Sequence, residues 1–267
     1  MKHVPSRYWQ ELTSPDFEAL DPAHGVAVLP VSAIEQHGPH LPLATDALIN
    51  AAIVEAALPR LAPSATVLVL PPQCVGASLE HGEYPGTLSI EHEALLAGWL
   101  DIGRCVALTG LRKLVIFNTH GGNRALVDLA ALKLRVELEM LVARANYTSL
   151  GMPEGLFDAA ELRDGIHGGE LETSLMLHIR PELVRREALQ NFVGLPQELQ
   201  AKGGLIGAEK PVGIGWMSQD LHPAGVCGNA LAADAERGGR CLEHLAERFA
   251  ALLEEVAEVP LGVIGER

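Results

Sequence analysis

The residues best suited to chemistry lie in the twelve-residue stretch Glu35-Gln36-His37-Gly38-Pro39-His40-Leu41-Pro42-Leu43-Ala44-Thr45-Asp46. Carboxylates and neutral imidazoles are the groups that Zn²⁺, Mn²⁺ or Fe²⁺ takes from a protein, so a metal site is the first reading. Glu35 and His37 are two residues apart, and in an extended chain such side chains point the same way. Pro39 and Pro42 forbid a continuous helix and leave the four groups on a stiff loop. Asp46 follows Thr45, which reads as the N-cap of a helix over 47–61, where the helix dipole favours an ionised carboxylate. Taken singly, each of these residues could be a solvated loop or capping group. Their clustering between two prolines and a glycine is what points to ligation. His40 reads as a group that orients the loop or partners a ligand.

A second cluster is Asp164-Gly165-Ile166-His167-Gly168-Gly169-Glu170-Leu171-Glu172-Thr173-Ser174. The glycines beside His167 leave room for a substrate, which favours catalysis. Glu170 and Glu172 open an apolar segment over 175–179. They are either ligands or acidic residues favoured in a first helical turn. A third group, Asn118-Thr119-His120-Gly121-Gly122-Asn123, places His120 just past an apolar run. Its Gly-Gly-Asn turn could cradle a phosphate at a helix start. It has neither the G-x-G-x-x-G nor the G-K-[ST] spacing, so nucleotide binding ranks low. His120 as a plain core or capping histidine is the competing reading.

These groups need elements to hold them. Apolar runs predict strands over 26–32, 66–70, 113–118 and 140–147, and helical periodicity predicts helices over 47–61, 90–108, 124–139 and 230–256. Gly110 reads as a C-cap. Residues 6–20 read as a helical lead-in broken at Ser14-Pro15, and 197–211 as a loop or surface segment. The loop over 76–87 is rich in glycine and polar groups, and a loop of that length is more often functional than not. The repeated order of strand, loop, helix and strand implies right-handed crossovers and a parallel sheet. The predicted fold is therefore α/β, one domain over 1–267 with helices on both faces of the sheet. In such sheets the working groups collect outside the carboxyl ends of the strands, which is where Glu35, His37 and His120 fall.

The bulk composition narrows the function classes. The 267 residues are 48% hydrophobic and 20% charged, which implies a sizeable core and excludes a disordered chain. A net charge of −14 argues against nucleic acid or anionic membrane as partner. Cys74, Cys105, Cys227 and Cys241 form no C-x-x-C pair and suit free thiols in a reducing compartment. The opening Met1-Lys2-His3-Val4-Pro5 lacks the apolar core of a signal peptide, and no uncharged run reaches transmembrane length. A cytoplasmic protein is the expectation.

The stretch at 35–46 resembles the E-Q-H-G-P-H-L-P-L-x-T-D motif of the creatininase (creatinine amidohydrolase) family. Pro85-Gly86-Thr87, 118–123, the run from His167 to Ser174 and, more loosely, 225–228 are similar as well, so the resemblance spans nearly the whole chain. It implies a two-metal centre and a homo-oligomer, a hexamer in creatininase itself. It further implies that Glu35 and His120 hold one ion and His37 the other, with Asp46 bridging. His167 corresponds to the family's substrate-side histidine, and Ser78 and Asp164 to substrate-contacting positions. The family pattern has a glutamate where this chain has Gly122, so the second ion must draw on Glu170 or Glu172. Glu170 is read as the ligand and Glu172 as a proton carrier beside His167. The pattern also has aromatic residues in place of Gly121 and Arg163, which line a ring pocket. The resemblance therefore implies a small-molecule amide other than creatinine. The Gly-Gly-Asn variant is similar to relatives that open other amides, among them a formamide deformylase and the peptidase of mycofactocin maturation. A non-catalytic metal-binding assembly protein is the competing class, and a dinucleotide-binding oxidoreductase is disfavoured by the missing glycine fingerprint.

Overall fold

A computed structural model describes residues 5–18 and 20–265. The expectation for the extreme N-terminus and residue 19 of the lead-in lie outside the described residues. Four strands, β1 (Val26–Val31), β2 (Val67–Val69), β3 (Lys113–Asn118) and β4 (Leu141–Asn146), form one all-parallel sheet in the order β2-β1-β3-β4. The helices are α1 (Ser14–Phe17), α2 (Thr45–Ala57), α3 (His92–Leu108), α4 (Arg124–Leu138), α5 (Ala159–Asp164), α6 (Glu170–Ile179), α7 (Leu195–Ala201), α8 (Ser218–Leu221) and α9 (Ala235–Glu258). The α/β class expected from the sequence is the class observed.

Both faces of the sheet are covered, as the unbroken burial of β1 and β3 requires. Successive strand side chains point to opposite faces. Val26, Val28, Val115 and Phe117 pack with α2, α6 and α9, where Phe117 stacks on Phe249 at 4.0 Å between ring centroids. Ala27, Leu29, Leu114 and Ile116 pack against α3 and α4 on the other side.

The register sets the site. Val31 of β1, Asn118 of β3 and Asn146 of β4 stand side by side, so the chain leaves all three strands at one edge. Side-chain amides staple the departing loops together, because backbone groups at strand ends need partners once the ladder stops. From α2, Asn50 donates to Val31 O at 3.1 Å and Phe117 O at 3.2 Å. Asn123 donates to Ser32 O and accepts from Ala77 N–H, each at 3.1 Å.

Several expectations shift locally. Thr45 is not the N-cap. Ala44 holds that position, and the Thr45 hydroxyl donates back to Pro42 O at 2.7 Å, leaving Asp46 buried in the first turn. Helix α2 ends at Ala57 because Pro59 turns the chain into a short 3₁₀ turn, Leu58–Arg60. Ser14-Pro15 starts α1 rather than breaking a helix, since proline suits a first turn. The segment read as a loop holds most of α7 and the two-residue strand β6 (Ile206–Gly207), followed directly by β7 (Val212–Gly213), with β5 (Asn191–Phe192) and β8 (Gly228–Asn229) flanking them in the chain. Helix α9 starts late, where Asp234 caps Arg237 N–H at 2.8 Å. Among the described residues no helix is long and apolar enough to cross a membrane.

Candidate metal centre

The loops leaving β1 and β3 bring Glu35, His37 and His120 together with Asp46 in the first turn of α2, and α6 adds Glu172. Asp46 sits between the two imidazoles: its Oδ1 is 3.3 Å from His37 Nε2 and its Oδ2 is 3.2 Å from His120 Nδ1. Glu35 Oε1 is 3.2 Å from His120 Nδ1, and Glu172 Oε2 is 3.8 Å from His37 Nε2. All five residues lie on the floor or wall of a cavity of about 890 Å³ or directly behind it.

Each histidine of the pair spends one ring nitrogen on a backbone carbonyl and presents the other to carboxylates. His37 Nδ1–H donates to Glu35 O at 3.1 Å, leaving Nε2 toward Asp46 and Glu172. His120 Nε2–H donates to Ala77 O at 2.7 Å, leaving Nδ1 toward Glu35 and Asp46. A ligating histidine is normally oriented in this way. Glu35 Oε2, His37 Nε2 and Asp46 Oδ2 are buried without a hydrogen-bond partner, a costly arrangement unless positive charge meets them. Three carboxylates and two imidazoles buried together fit one or two divalent cations. In the metal-free chain protons meet the need instead. Burial opposes charge on His37, but Asp46, then Glu172 and Glu35, raise it to about 9. Burial likewise opposes charge on His120, which Glu35 and Asp46 nonetheless hold well above the usual imidazole range. Asp46, despite its burial, is kept ionised by His37 and His120.

His167 stands beside this cluster, its Nδ1 3.8 Å from Glu35 Oε1 and its ring 4.2 Å from that of His37. Its Nε2–H donates to Gln36 O at 2.8 Å. Burial, and then the nearness of His37, lowers it to about 4, so the ring is neutral with its Nδ1 lone pair free.

Comparisons with known proteins assign the chain to a family. The family model described as creatinine amidohydrolase matches residues 10–253. The chain belongs to the creatininase family. It is 33% identical over 246 residues to the mycofactocin precursor peptide peptidase of Mycobacterium ulcerans, covering 89% of this chain and 88% of that protein. It is 33% identical over 191 residues to the creatinine amidohydrolase of Pseudomonas putida, covering 65% of this chain and 72% of that one. A solved creatininase described as the Mn form superposes with a TM-score of 0.72 at 26% identity, covering 95% of this chain and 100% of that chain.

Against the creatininase-family expectation, Glu170 does not reach the cluster. Its carboxylate pairs with Arg237 of α9, and Glu172 takes the place beside His37. Gly122 explains why no carboxylate enters from that position. A Cβ there would lie 2.5 Å from Ala77 O, Glu80 Oε1 and His120 Nε2, so the loop over 76–82 packs directly on the glycine. Ser78 is fully buried behind His120, its Oγ 3.4 Å from Nε2, and is not among the residues lining the cavity. Asp164 also stays out of the lining and holds Arg163, which does line it, through contacts of 2.8 and 2.5 Å. His40 bonds Gly168 O at 3.0 Å and Thr173 Oγ1 at 3.1 Å, bracing the loop of His167.

Glu80, His81 and Tyr147 are among the lining residues that the sequence does not single out as site candidates. The first two lie in the polar loop already singled out over 76–87. Tyr147 was absorbed into the fourth predicted strand, and its hydroxyl donates to Glu172 Oε1 at 3.3 Å.

Proposed function

We propose that this creatininase-family hydrolase is a metal-dependent amidohydrolase that opens a C–N amide bond in a cyclic amide, formamide or small peptide-like substrate, using two divalent ions. The observation that carries this reading is Asp46, whose two oxygens face two different imidazoles at 3.3 and 3.2 Å. Glu35 and His120 would hold one ion and His37 and Glu172 the other, with Asp46 shared. Bound there, a pair of Zn²⁺, Mn²⁺ or Fe²⁺ ions supplies a water with its pKa lowered toward ~7 and a Lewis acid for the carbonyl.

The chain's own residues do the remainder. His167 Nδ1 takes the proton that the attacking water gives up and returns it to the departing nitrogen, while its Nε2–H stays on Gln36 O and fixes the ring. Tyr147 O–H and Gly168 N–H, the latter at 2.8 Å, hold the two oxygens of Glu172. A covalent acyl-enzyme is disfavoured. The buried Cys227 thiol is pushed up to about 12 by its surroundings, and Ser78 Oγ is sealed from the cavity. The wide cavity, with open space at Gly121, favours a substrate larger than a single small ring. The peptidase named among the relatives supports a peptide bond as readily as another amide.

A single catalytic domain over 1–267, a homo-oligomer (a hexamer in the family pattern) and a cytoplasmic setting complete the proposal. Leu79, Leu88 and Ile90 are exposed apolar side chains that self-association could cover. A non-catalytic metal-binding assembly protein is the weaker reading, because structural sites are closed and cysteine-rich whereas this cluster opens on a cavity. The test is metal analysis of the purified chain together with chelator-sensitive hydrolysis of cyclic amides, formamides and short peptides. About two ions per chain and a chelator-sensitive substrate are expected. A chain free of metal, or turnover indifferent to chelator, contradicts the proposal.

A further inference from the structure

Behind Glu35 lies a buried pair that the mechanism above does not use. The Gln36 amide is oriented by two backbone groups whose polarity is unambiguous. Its Oε1 accepts from Gly38 N–H at 2.8 Å, and its Nε2 donates to Gly225 O. The remaining Nε2 hydrogen faces His81 Nδ1 at 2.9 Å. An amide nitrogen can only donate, so His81 Nδ1 accepts and the ring carries its hydrogen on Nε2. That atom stands 3.5 Å from Glu35 Oε1, the same oxygen that faces His120 Nδ1 at 3.2 Å.

The surroundings leave this arrangement little freedom. Gln36 is 5% exposed and His81 1%. Gly225 has a φ of +71°, and a Cβ on it would lie 2.5 Å from Gln36 Nε2 and 2.8 Å from Tyr84 Cζ. The close approach of backbone to amide is possible only because that residue is glycine. The His81 ring packs on His167 at 4.3 Å between centroids, which fixes its plane.

We propose that His81 is a positioning residue: Gln36 locks it with the hydrogen on Nε2, and that N–H holds the Glu35 carboxylate turned toward His120. The proposal rests on the reading of Glu35 as a metal ligand. Partners of this kind, one step from the ligands, typically change metal affinity by 10- to 100-fold when removed.

The first test is ¹⁵N NMR of the imidazole nitrogens in the full, metal-free chain, which needs no substrate. His81 is expected to show an unprotonated Nδ1 and a protonated Nε2. In Gln36→Glu, which faces the ring with an acceptor alone, Nδ1 is expected to gain a hydrogen. The second test is calorimetric titration with Zn²⁺. His81→Phe is expected to weaken one of two binding events by about tenfold or more, and His81→Gln, which keeps an N–H near the same point, to restore most of it. A protonated Nδ1 in the native chain overturns the proposal, as does unchanged Zn²⁺ affinity in a folded His81→Phe. A chain that takes up no Zn²⁺ refutes the metal reading instead, while the NMR result still decides the orientation of His81. Should His81→Phe fail to fold, His81→Gln and the native spectrum decide.

Discussion

The two halves of the centre are built differently. Glu35 and His120 come from loops leaving adjacent strands of one sheet, and their side chains are 1% and 3% exposed. His37 shares that sheet edge, but its carboxylate partner Glu172 comes from helix α6 and is 12% exposed. Strand register alone places the first half, because neighbouring strands end side by side. The second half depends on how a separate helix is rotated about its axis. Such a centre has one half set by the sheet and another set by helix packing. At Gly122 the 76–82 loop fills the place a side chain would take, and Glu172 stands beside His37 instead.

Mutations should separate the halves. Asp46→Ala touches both and carries the largest expected effect, with loss of both ions and of nearly all turnover, read by metal analysis and by hydrolysis of whichever panel substrate is cleaved. His167→Ala should keep both ions and lose about 10²- to 10⁴-fold in turnover, the usual worth of a positioned proton carrier. Unchanged turnover would remove His167 from that role. Glu172→Gln should weaken the His37 side alone, by about 100-fold or more in affinity, the upper range reached even by groups one step from a metal. Equal weakening of both ions would erase the distinction between the halves.

The pH dependence follows from the raised imidazoles. In the metal-free chain His37 holds its proton up to about 9, so a cation must displace it at neutral pH. Apparent affinity should therefore rise about tenfold per pH unit for each proton displaced as pH climbs toward 9, then level off. For the metal-free fold the sign is opposite. A folded-state value raised from 6.5 to about 9 contributes stability that is complete below pH 6.5 and lost as pH rises through 9. Thermal melts with and without metal across that window would show it. Glu170→Gln carries the smallest effect on the centre. It should leave both ions in place and cost about 1–3 kcal/mol of stability through the lost pairing with Arg237.

The same contrast explains what could be read from the chain beforehand. The strand-borne candidates were legible because an apolar run of six residues ends just before the polar motif, and in a parallel sheet that junction is where sites form. The choice between Glu170 and Glu172 was not. Residues two apart on a helix lie about 200° apart around its axis, so only one can face a given neighbour. Which one does depends on the packing of α6 against α9, a tertiary fact that sends Glu170 to Arg237. Thr45 was misread as a cap because its hydroxyl found Pro42 O, a backbone group made available by the preceding turn. His81 stayed hidden because an irregular loop has no period to reveal which polar residue turns inward, although the loop itself stood out by composition. The strands of 2 residues around 206–213 left no alternation long enough to detect.

The most direct measurement is anomalous diffraction at a metal absorption edge from crystals of the metal-loaded chain. Two peaks flanking the Asp46 carboxylate are expected, one beside Glu35 and His120 and the other beside His37 and Glu172. A single peak, or two peaks of which only one contacts Asp46, would contradict the shared-carboxylate centre.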